Sequence, residues 1–393
     1  MRIVFVDDDA DVLQAMRRTL RDMRTEWSME FMPSGAAALE ELAKLPTDVI
    51  VSDMRMPGMD GWELLAEVKK RHPQTIRLVL SGHADARSIM RAVGTAHQYL
   101  AKPCETQALK AAIMQTLMLR RHLSSERLAE VVGRVDMLPS APKAFQEILA
   151  CLQRPNASVA DAAKIIARDV AMTANVIKLV NSAFFGTRQP VSTADRAVAY
   201  LGLDTLGALV LGHGIFKGGG VATLKGFNID RLWQHSRDVA AAARTIALAE
   251  KLPNGKADEA FLAGMLHDVG ELVIATRLAA TPDAPAQAEE MAIPMQAHHA
   301  EVGAYLMGLW GFPNSIVEAV AFHDAPSQIP GEGLTLASLV HIADRLVLAR
   351  DSLTTGQPAP ELEPGLLERL GLVERWPVWQ AELDSLSTAQ SAV

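Results

Sequence analysis

The sequence predicts two folds in one chain. A doubly wound α/β domain with a five-stranded parallel sheet occupies about residues 1–120, and an all-α domain follows. Three observations carry this. Short apolar runs, several of them β-branched, alternate with helical patterns five times before residue 120, as βα units of a parallel sheet do. Four of these runs end abruptly in polar residues. From Lys143 onward the strand signal stops, and apolar residues recur only at helical spacing.

Taken in order, Ile3-Val4-Phe5-Val6 is the first strand, and Val12, Leu13, Met16, Leu20 and Met23 then share one helical face. Trp27 to Phe31 reads as a second strand and Ala36 to Leu45 as a second helix. Asp48 to Ser52 is the central strand, too apolar for anything but burial on both faces. Trp62 to Arg71 is a helix with Leu64, Leu65 and Val68 inward; Ile76 to Leu80 is the fourth strand and Ser88 to Val93 its helix. Tyr99-Leu100-Ala101 is the fifth strand and Leu109 to Leu119 the fifth helix. The pattern predicts a continuous or bent helix onward through residues 121–137, without a clean heptad. Leu138-Pro139-Ser140-Ala141-Pro142 then opens the helical domain, placed at 138–350, with terminal helices and a tail over 351–393.

The chemistry gathers at the strand ends. Strand one runs into Asp7-Asp8-Asp9, strand three into Asp53, strand four into Ser81-Gly82 and strand five into Lys102-Pro103. In a parallel sheet these ends share one edge, where open α/β folds place their sites. Clustered carboxylates repel one another and cannot stay buried and ionised alone. Mg²⁺, which takes few protein oxygens together with phosphate and water, resolves the conflict. Lys102 can pair with a carboxylate or an added phosphoryl oxygen, and the Ser81 hydroxyl can hydrogen-bond that oxygen. Asp53 is therefore read as a phosphoryl acceptor.

Composition narrows the classes. A net charge of −8 gives no support for general nucleic-acid binding, and no DNA-reading motif is found. Cys104 and Cys151, far apart in sequence, fit a reducing cytosol better than a disulfide scaffold. The opening apolar run is too short for a signal peptide. The weakly charged stretch from Ala197 to Phe216 contains Asp204 and several glycines, which favours buried helices over a membrane span. A cytoplasmic protein is expected.

The strand-end residues Asp7, Asp8, Asp53, Ser81, Tyr99 and Lys102-Pro103 resemble the receiver domain of two-component response regulators, a flavodoxin-like fold. The resemblance implies that Asp53 is the phosphoacceptor. It implies Mg²⁺ held by Asp8, Asp53 and the backbone carbonyl of Arg55, with Asp7 nearby. It makes Ser81 and Tyr99 a switch pair that responds to phosphorylation, and a histidine kinase or phosphotransfer protein the donor.

Beyond the joint, Asp169-Val170-Ala171-Met172-Thr173-Ala174, Asn181-Ser182-Ala183-Phe184-Phe185-Gly186 and Ala197-Val198-Ala199-Tyr200-Leu201-Gly202 keep an order that resembles the HDOD domain, a helical output module related to HD-type phosphohydrolases. The resemblance implies a regulatory role through a signalling partner. Asn181 reads as a helix-end or interhelix hydrogen bond, and Gly218-Gly219-Gly220 as a plain loop. His235, His267, Asp268 and Asp344 match the metal ligands of catalytic HD domains, and His299 and His323 the further ligands of dinuclear HD-GYP relatives. Imidazoles and carboxylates among apolar residues need partners, and a shared Fe, Mn or Zn ion or a web of hydrogen bonds would each serve.

Three departures count against catalysis. Asp324 stands where an HD-GYP protein has a second histidine, Glu271 stands where it has lysine, and the Gly-Tyr-Pro signature is missing after His323. His83, His97, His122, His213 and His298 fit no ligand pattern. The sequence therefore reads as a phosphorylation-controlled regulator acting on a protein partner, with a metal-dependent phosphohydrolase or phosphodiesterase as the alternative. It leaves room for a homodimer.

Overall fold

The computed structural model describes residues 1–81, 95–102, 104–123, 126–135, 138, 140, 142–154, 156–181, 190–213, 227–253, 255–279, 295–330, 333–355, 358 and 360–391. The helix expected at Ser88 to Val93, His83, Pro103, Ser182 to Gly186 and the triple glycine fall outside these residues, as do the side chains of Ser81, His122 and His213.

The first domain is one sheet of five parallel strands: β1 (Arg2–Val6), β2 (Ser28–Met32), β3 (Val49–Asp53), β4 (Ile76–Ser81) and β5 (Gln98–Ala101). Their order is β2-β1-β3-β4-β5. Every residue of β3 is buried, which is why that strand reads as an unbroken apolar run up to its final aspartate. Register places Val6 opposite Ser52, Asp53 opposite Leu80 and Ser81 opposite Ala101. The carboxyl ends of β1 and β3 therefore lie side by side at the switch point of the strand order, with that of β5 two strands away on the same edge.

Around the sheet pack α1 (Ala10–Thr19), α2 (Gly35–Lys44), α3 (Gly61–Arg71) and α4 (Thr106–His122). Asp9 caps α1 by accepting from the backbone of Asp11 and Val12. Asp60 and Glu63 form a reciprocal capping box that starts α3 directly after the acceptor loop.

The predicted connecting helix is instead two helices. Leu123 has extended backbone (φ −67°, ψ 129°) and ends α4, and α5 (Glu126–Gly133) begins afresh. The helical domain follows with α6 (Pro142–Leu152), α7 (Val159–Ile166), α8 (Val170–Asn181), α9 (Ala194–His213), α10 (Ile229–Ala249), α11 (Lys256–Leu266), α12 (Val269–Ala279), α13 (Met295–Leu309), α14 (Asn314–Phe322) and α15 (Leu336–Thr355). Helices α16 (Leu366–Leu370) and α17 (Trp376–Ser391) close the chain. Trp379 of α17 is fully buried and donates to Glu250 at 3.0 Å, so the tail is packed onto the end of α10.

Both asparagines of α8 act on main chain. Asn175 donates to Leu138 O and accepts from Leu138 N, and Asn181 does the same with Val191. Asn181 is thus a fold device, its amide stitching α8 to the approach to α9.

The first domain meets α5 and the helical domain through buried polar contacts. Arg77 of β4 is 0% exposed. Its Nε donates to Thr95 O at 2.7 Å, and one terminal nitrogen donates to Gly133 O of α5 at 2.9 Å. Gln98 of β5 donates to Gly308 O of α13 at 2.8 Å. Gly133 has no room for a side chain, because an added Cβ would lie 2.2 Å from Pro73 O.

His97 belongs to the same junction. Its Nδ1 accepts from Arg77 N at 3.1 Å, and Nε2 lies 2.9 Å from the Arg77 guanidinium and 3.3 Å from Gly133 O. Burial, the Arg77 cation and the more distant Lys178 and Lys69 hold its pKa well below the ordinary 6.5. The unfolded chain takes up this proton at pH 6.5 and the folded chain does not. Stability is therefore intact above pH 6.5 and declines as pH falls toward the folded value, by up to about 1.4 kcal/mol per pH unit. Urea unfolding between pH 5 and 7 is expected to show a shallower slope for His97→Leu than for the wild type. Equal slopes would assign the acid sensitivity elsewhere.

Candidate functional site

The sheet edge brings together the acids and the lysine that the sequence places at strand ends. Asp7 is 2% exposed and Asp53 9% exposed, while Asp8 lies at the surface beside them. Lys102 Nζ reaches Asp53 Oδ1 at 2.5 Å and Asp7 Oδ2 at 2.7 Å. Burial opposes the lysine charge, but these two carboxylates outweigh it and raise its pKa above the ordinary value. Asp53 Oδ2 accepts from the backbone N–H of Arg55 at 2.9 Å, which puts the Arg55 backbone beside the acceptor. Asp7 Oδ1 accepts from Asp9 N at 3.0 Å.

Two carboxylates thus pair with one ammonium, and the exposed Asp8 follows Asp7 in the chain, an excess of negative charge made of oxygen donors alone. That donor set fits a hard divalent cation such as Mg²⁺. Gly61 keeps the loop tight, since an added Cβ would meet Asp53 O at 2.1 Å. Tyr99 already lies inward, 6% exposed, with its ring centroid 6.1 Å from that of Trp62. Ser81 holds its place at the end of β4.

The second centre gathers residues from five places on the helical domain. His235 comes from α10, His299 from α13, His323 from the end of α14 and Asp344 from α15. His267 and Asp268 lie in the apolar run Gly264-Met265-Leu266-His267-Asp268-Val269-Gly270. They form the joint between α11 and α12, where the chain breaks step and turns both side chains inward. Gly270 permits this: a Cβ there would lie 1.9 Å from His299 O, so α12 and α13 meet backbone to backbone.

Asp268 is the hub. Its Oδ2 lies 3.1 Å from His267 Nε2 and 3.6 Å from His235 Nε2, and its Oδ1 lies 3.3 Å from His299 Nε2 and 3.6 Å from His323 Nε2. Asp344 Oδ1 lies 3.0 Å from His235 Nε2. His267 Nδ1 donates to Gly264 O and His323 Nδ1 to Val320 O, which turns both Nε2 atoms inward. His323 Nε2 then meets His299 Nε2 at 3.0 Å.

Electrostatics separate these groups. Burial disfavours charge on His267, but Asp268 overrides it and lifts the imidazole to about 9. Burial likewise opposes the Asp268 carboxylate, yet the surrounding imidazoles, His267 first, hold it far below the usual range. His323, desolvated and beside His267, falls to about 4. Glu271 is pushed up by burial and by Asp268.

The donor set fits a metal on geometric grounds. His267 Nε2 and Asp344 Oδ1 are buried and, among the described residues, have no aligned hydrogen-bond partner. Their short distances to Asp268 and His235 are contacts of atoms pointing at the same space. Two triads, His235–His267–Asp268 and Asp268–His299–His323, each bring one donor atom per residue within 4.8 Å of one another. Imidazole and carboxylate donors suit Fe, Mn or Zn.

Sequence reasoning missed His341, which joins α14 to the tail by donating Nδ1 to His323 O and accepting from Glu363 N at Nε2. It also missed Arg345, which forks onto Asp344 and Asp324. Neither carries a spacing signal. No helix among the described residues is long and apolar enough to cross a membrane.

Comparison with known proteins agrees with this division. The response regulator receiver domain family matches residues 3–114, and the HDOD domain family matches residues 138–326. An uncharacterized protein of Treponema pallidum (strain Nichols) is 28% identical over 249 residues, 59% of this chain and 46% of that protein. The DNA-binding transcriptional regulator NtrC of Escherichia coli (strain K12) is 30% identical over 151 residues, 38% of this chain and 32% of that protein. The chain thus spans less than half the length of either. The crystal structure of the MmoQ response regulator from Methylococcus capsulatus str. Bath, 25% identical, covers 63% of this chain and 98% of its own, with a TM-score of 0.44. With a receiver domain at residues 3–114 and an HDOD domain at residues 138–326, the chain belongs to the two-component response regulators.

Proposed function

We propose that phosphorylation of Asp53 switches this chain and that the helical domain passes the signal on by binding a protein partner. A receiver domain implies a kinase or phosphotransfer protein as donor. The observation that carries the reading is Lys102 bridging Asp53 and Asp7 at the tip of the central strand. In the transfer, a carboxylate oxygen of Asp53 forms a P–O bond as the P–N bond to a donor histidine breaks. Lys102 moves from carboxylate to phosphoryl oxygen, where its charge stabilises the transferring group. Asp8, Asp53 and the Arg55 carbonyl, with Asp7 nearby, would hold Mg²⁺, which when bound offsets phosphoryl charge. Ser81 would then hydrogen-bond the new phosphoryl oxygen. Tyr99, already inward, would be held there rather than drawn in.

Incubation with acetyl phosphate and Mg²⁺ is expected to give a phosphorylated form that a phosphate-affinity gel resolves. Asp53→Asn is expected to give none, and chelating Mg²⁺ to suppress it. Persistent labelling of Asp53→Asn would overturn the assignment.

The assembled imidazoles favour a second reading, a metal-dependent phosphohydrolase gated by Asp53. His235, His267, Asp268, His299, His323 and Asp344 would hold Fe, Mn or Zn. Glu271 weighs against turnover, because it puts a carboxyl group where a cation would meet phosphate. Hydrolysis of a phosphodiester that disappears in His267→Ala, while Asp53 still takes phosphate, would support this second reading; no turnover in the metal-loaded wild type would sink it.

A further inference from the structure

We propose that Asp324 is a metal ligand, the fourth protein donor of the second half of the centre, and that Arg345 is the positioning residue that aims both outer carboxylates. The proposal rests on the reading of the imidazole cluster as a metal centre.

Asp324 follows His323 directly at the end of α14, and its side chain is 48% exposed. An aspartate this open ordinarily points to water. Here Oδ2 turns back to lie 3.5 Å from His299 Nε2 and 3.6 Å from His323 Nε2. Asp268 Oδ1 faces the same two nitrogens at 3.3 and 3.6 Å. The two carboxylate oxygens therefore flank one pair of imidazoles. That arrangement matches the first half, where Asp268 Oδ2 and Asp344 Oδ1 face His235. Each half then holds two imidazoles and two carboxylates, with Asp268 common to both.

The orientation has a visible cause. One Arg345 terminal nitrogen lies 3.1 Å from Asp324 Oδ1, and the other lies 3.0 Å from Asp344 Oδ2. Both outer aspartates thus give one oxygen to the guanidinium and keep the other for the imidazoles. A planar fork fixes two carboxylates at once in a way an ammonium does not. Arg345 is itself mostly buried, and its Nε has no hydrogen-bond partner among the described residues. The independent sign that the space is built for a ligand is the triad beside it, both of its imidazoles buried: Asp268, His299 and His323 each bring one donor atom within 4.8 Å of one another. The aspartate that breaks the paired-histidine pattern therefore replaces a neutral imidazole donor with an anionic carboxylate donor, held by an arginine one residue beyond Asp344.

The test uses the full chain, stripped of metal, loaded anaerobically with Mn²⁺ and desalted. The wild type is expected to retain two Mn²⁺ per chain with the exchange-coupled EPR signal of a pair. Asp324→Ala is expected to retain one and to show only the signal of isolated Mn²⁺. Asp324→His, which restores an imidazole, is expected to recover the pair. Arg345→Met is expected to weaken retention against a chelator roughly tenfold or more, and Arg345→Lys to restore it only in part. Circular dichroism checks that each variant folds. A wild type that holds no Mn²⁺ would overturn the metal reading and this proposal with it. A wild type and an Asp324→Ala variant with equal Mn²⁺ content would overturn the role of Asp324 alone. Unchanged retention in Arg345→Met would overturn the positioning role.

Discussion

Asp268→Asn is expected to abolish the metal binding proposed for the helical domain while leaving the fold in place. Among the described residues, Asp268 lies within 3.6 Å of four imidazole nitrogens, with one oxygen for each pair. Asparagine keeps its size and one oxygen but loses the charge, and its amide nitrogen cannot ligate. Both halves lose their shared donor, so Mn²⁺ retention should fall to near zero rather than to half. The stabilisation expected from the proposed metal should vanish too. At a metal concentration about a hundred times the dissociation constant, this is roughly 2.7 kcal/mol. Elemental analysis and the thermal shift on adding Mn²⁺ check both outcomes. A variant that keeps half its metal would show that the halves do not depend on a common carboxylate.

The second large effect is expected from Arg77→Met. Arg77 is 0% exposed and donates to Thr95 O, Thr75 O and Gly133 O at 2.7, 3.2 and 2.9 Å. Methionine preserves the apolar stem and removes every donor. Each buried carbonyl left without its partner costs on the order of 1–3 kcal/mol. With two or three such groups, a loss of about 3 kcal/mol is expected, measured by urea unfolding. The damage should concentrate at the junction. Limited proteolysis between residues 120 and 142 is expected to accelerate in this variant while the Asp53 region still takes phosphate. A loss under about 0.5 kcal/mol would mean that water replaces the arginine without penalty.

The first centre was largely legible in the sequence. A parallel sheet maps the ends of separated strands onto one edge, so Asp7, Asp53 and Lys102 could be placed together from pattern alone. The second centre was not legible in that way. His235, His267, His299, His323 and Asp344 come from different helices, and helix packing angles carry no sequence period. Resemblance supplied the set, and the structure supplied its arrangement. The break at Leu123 escaped because its neighbours keep helical composition. The functions of Arg77, Gln98 and His341 escaped because their partners include main-chain groups, which any residue supplies. One signal stood in view: a single arginine inside the apolar strand Ile76-Arg77-Leu78-Val79-Leu80.

The junction bears on how such proteins can be rebuilt. On paper the chain is two blocks and a hyphen, an invitation to exchange one input for another. The fold does not respect that boundary. Arg77 holds the carbonyl of Gly133, Gln98 holds that of Gly308, and Pro73 leaves Gly133 no room for a methyl group. A foreign receiver spliced at the hyphen would arrive without these donors and with a different loop at Pro73. Grafts that carry Pro73, Arg77, His97 and Gln98 along with the sheet should dock, and grafts that stop at the phosphorylation residues should dangle.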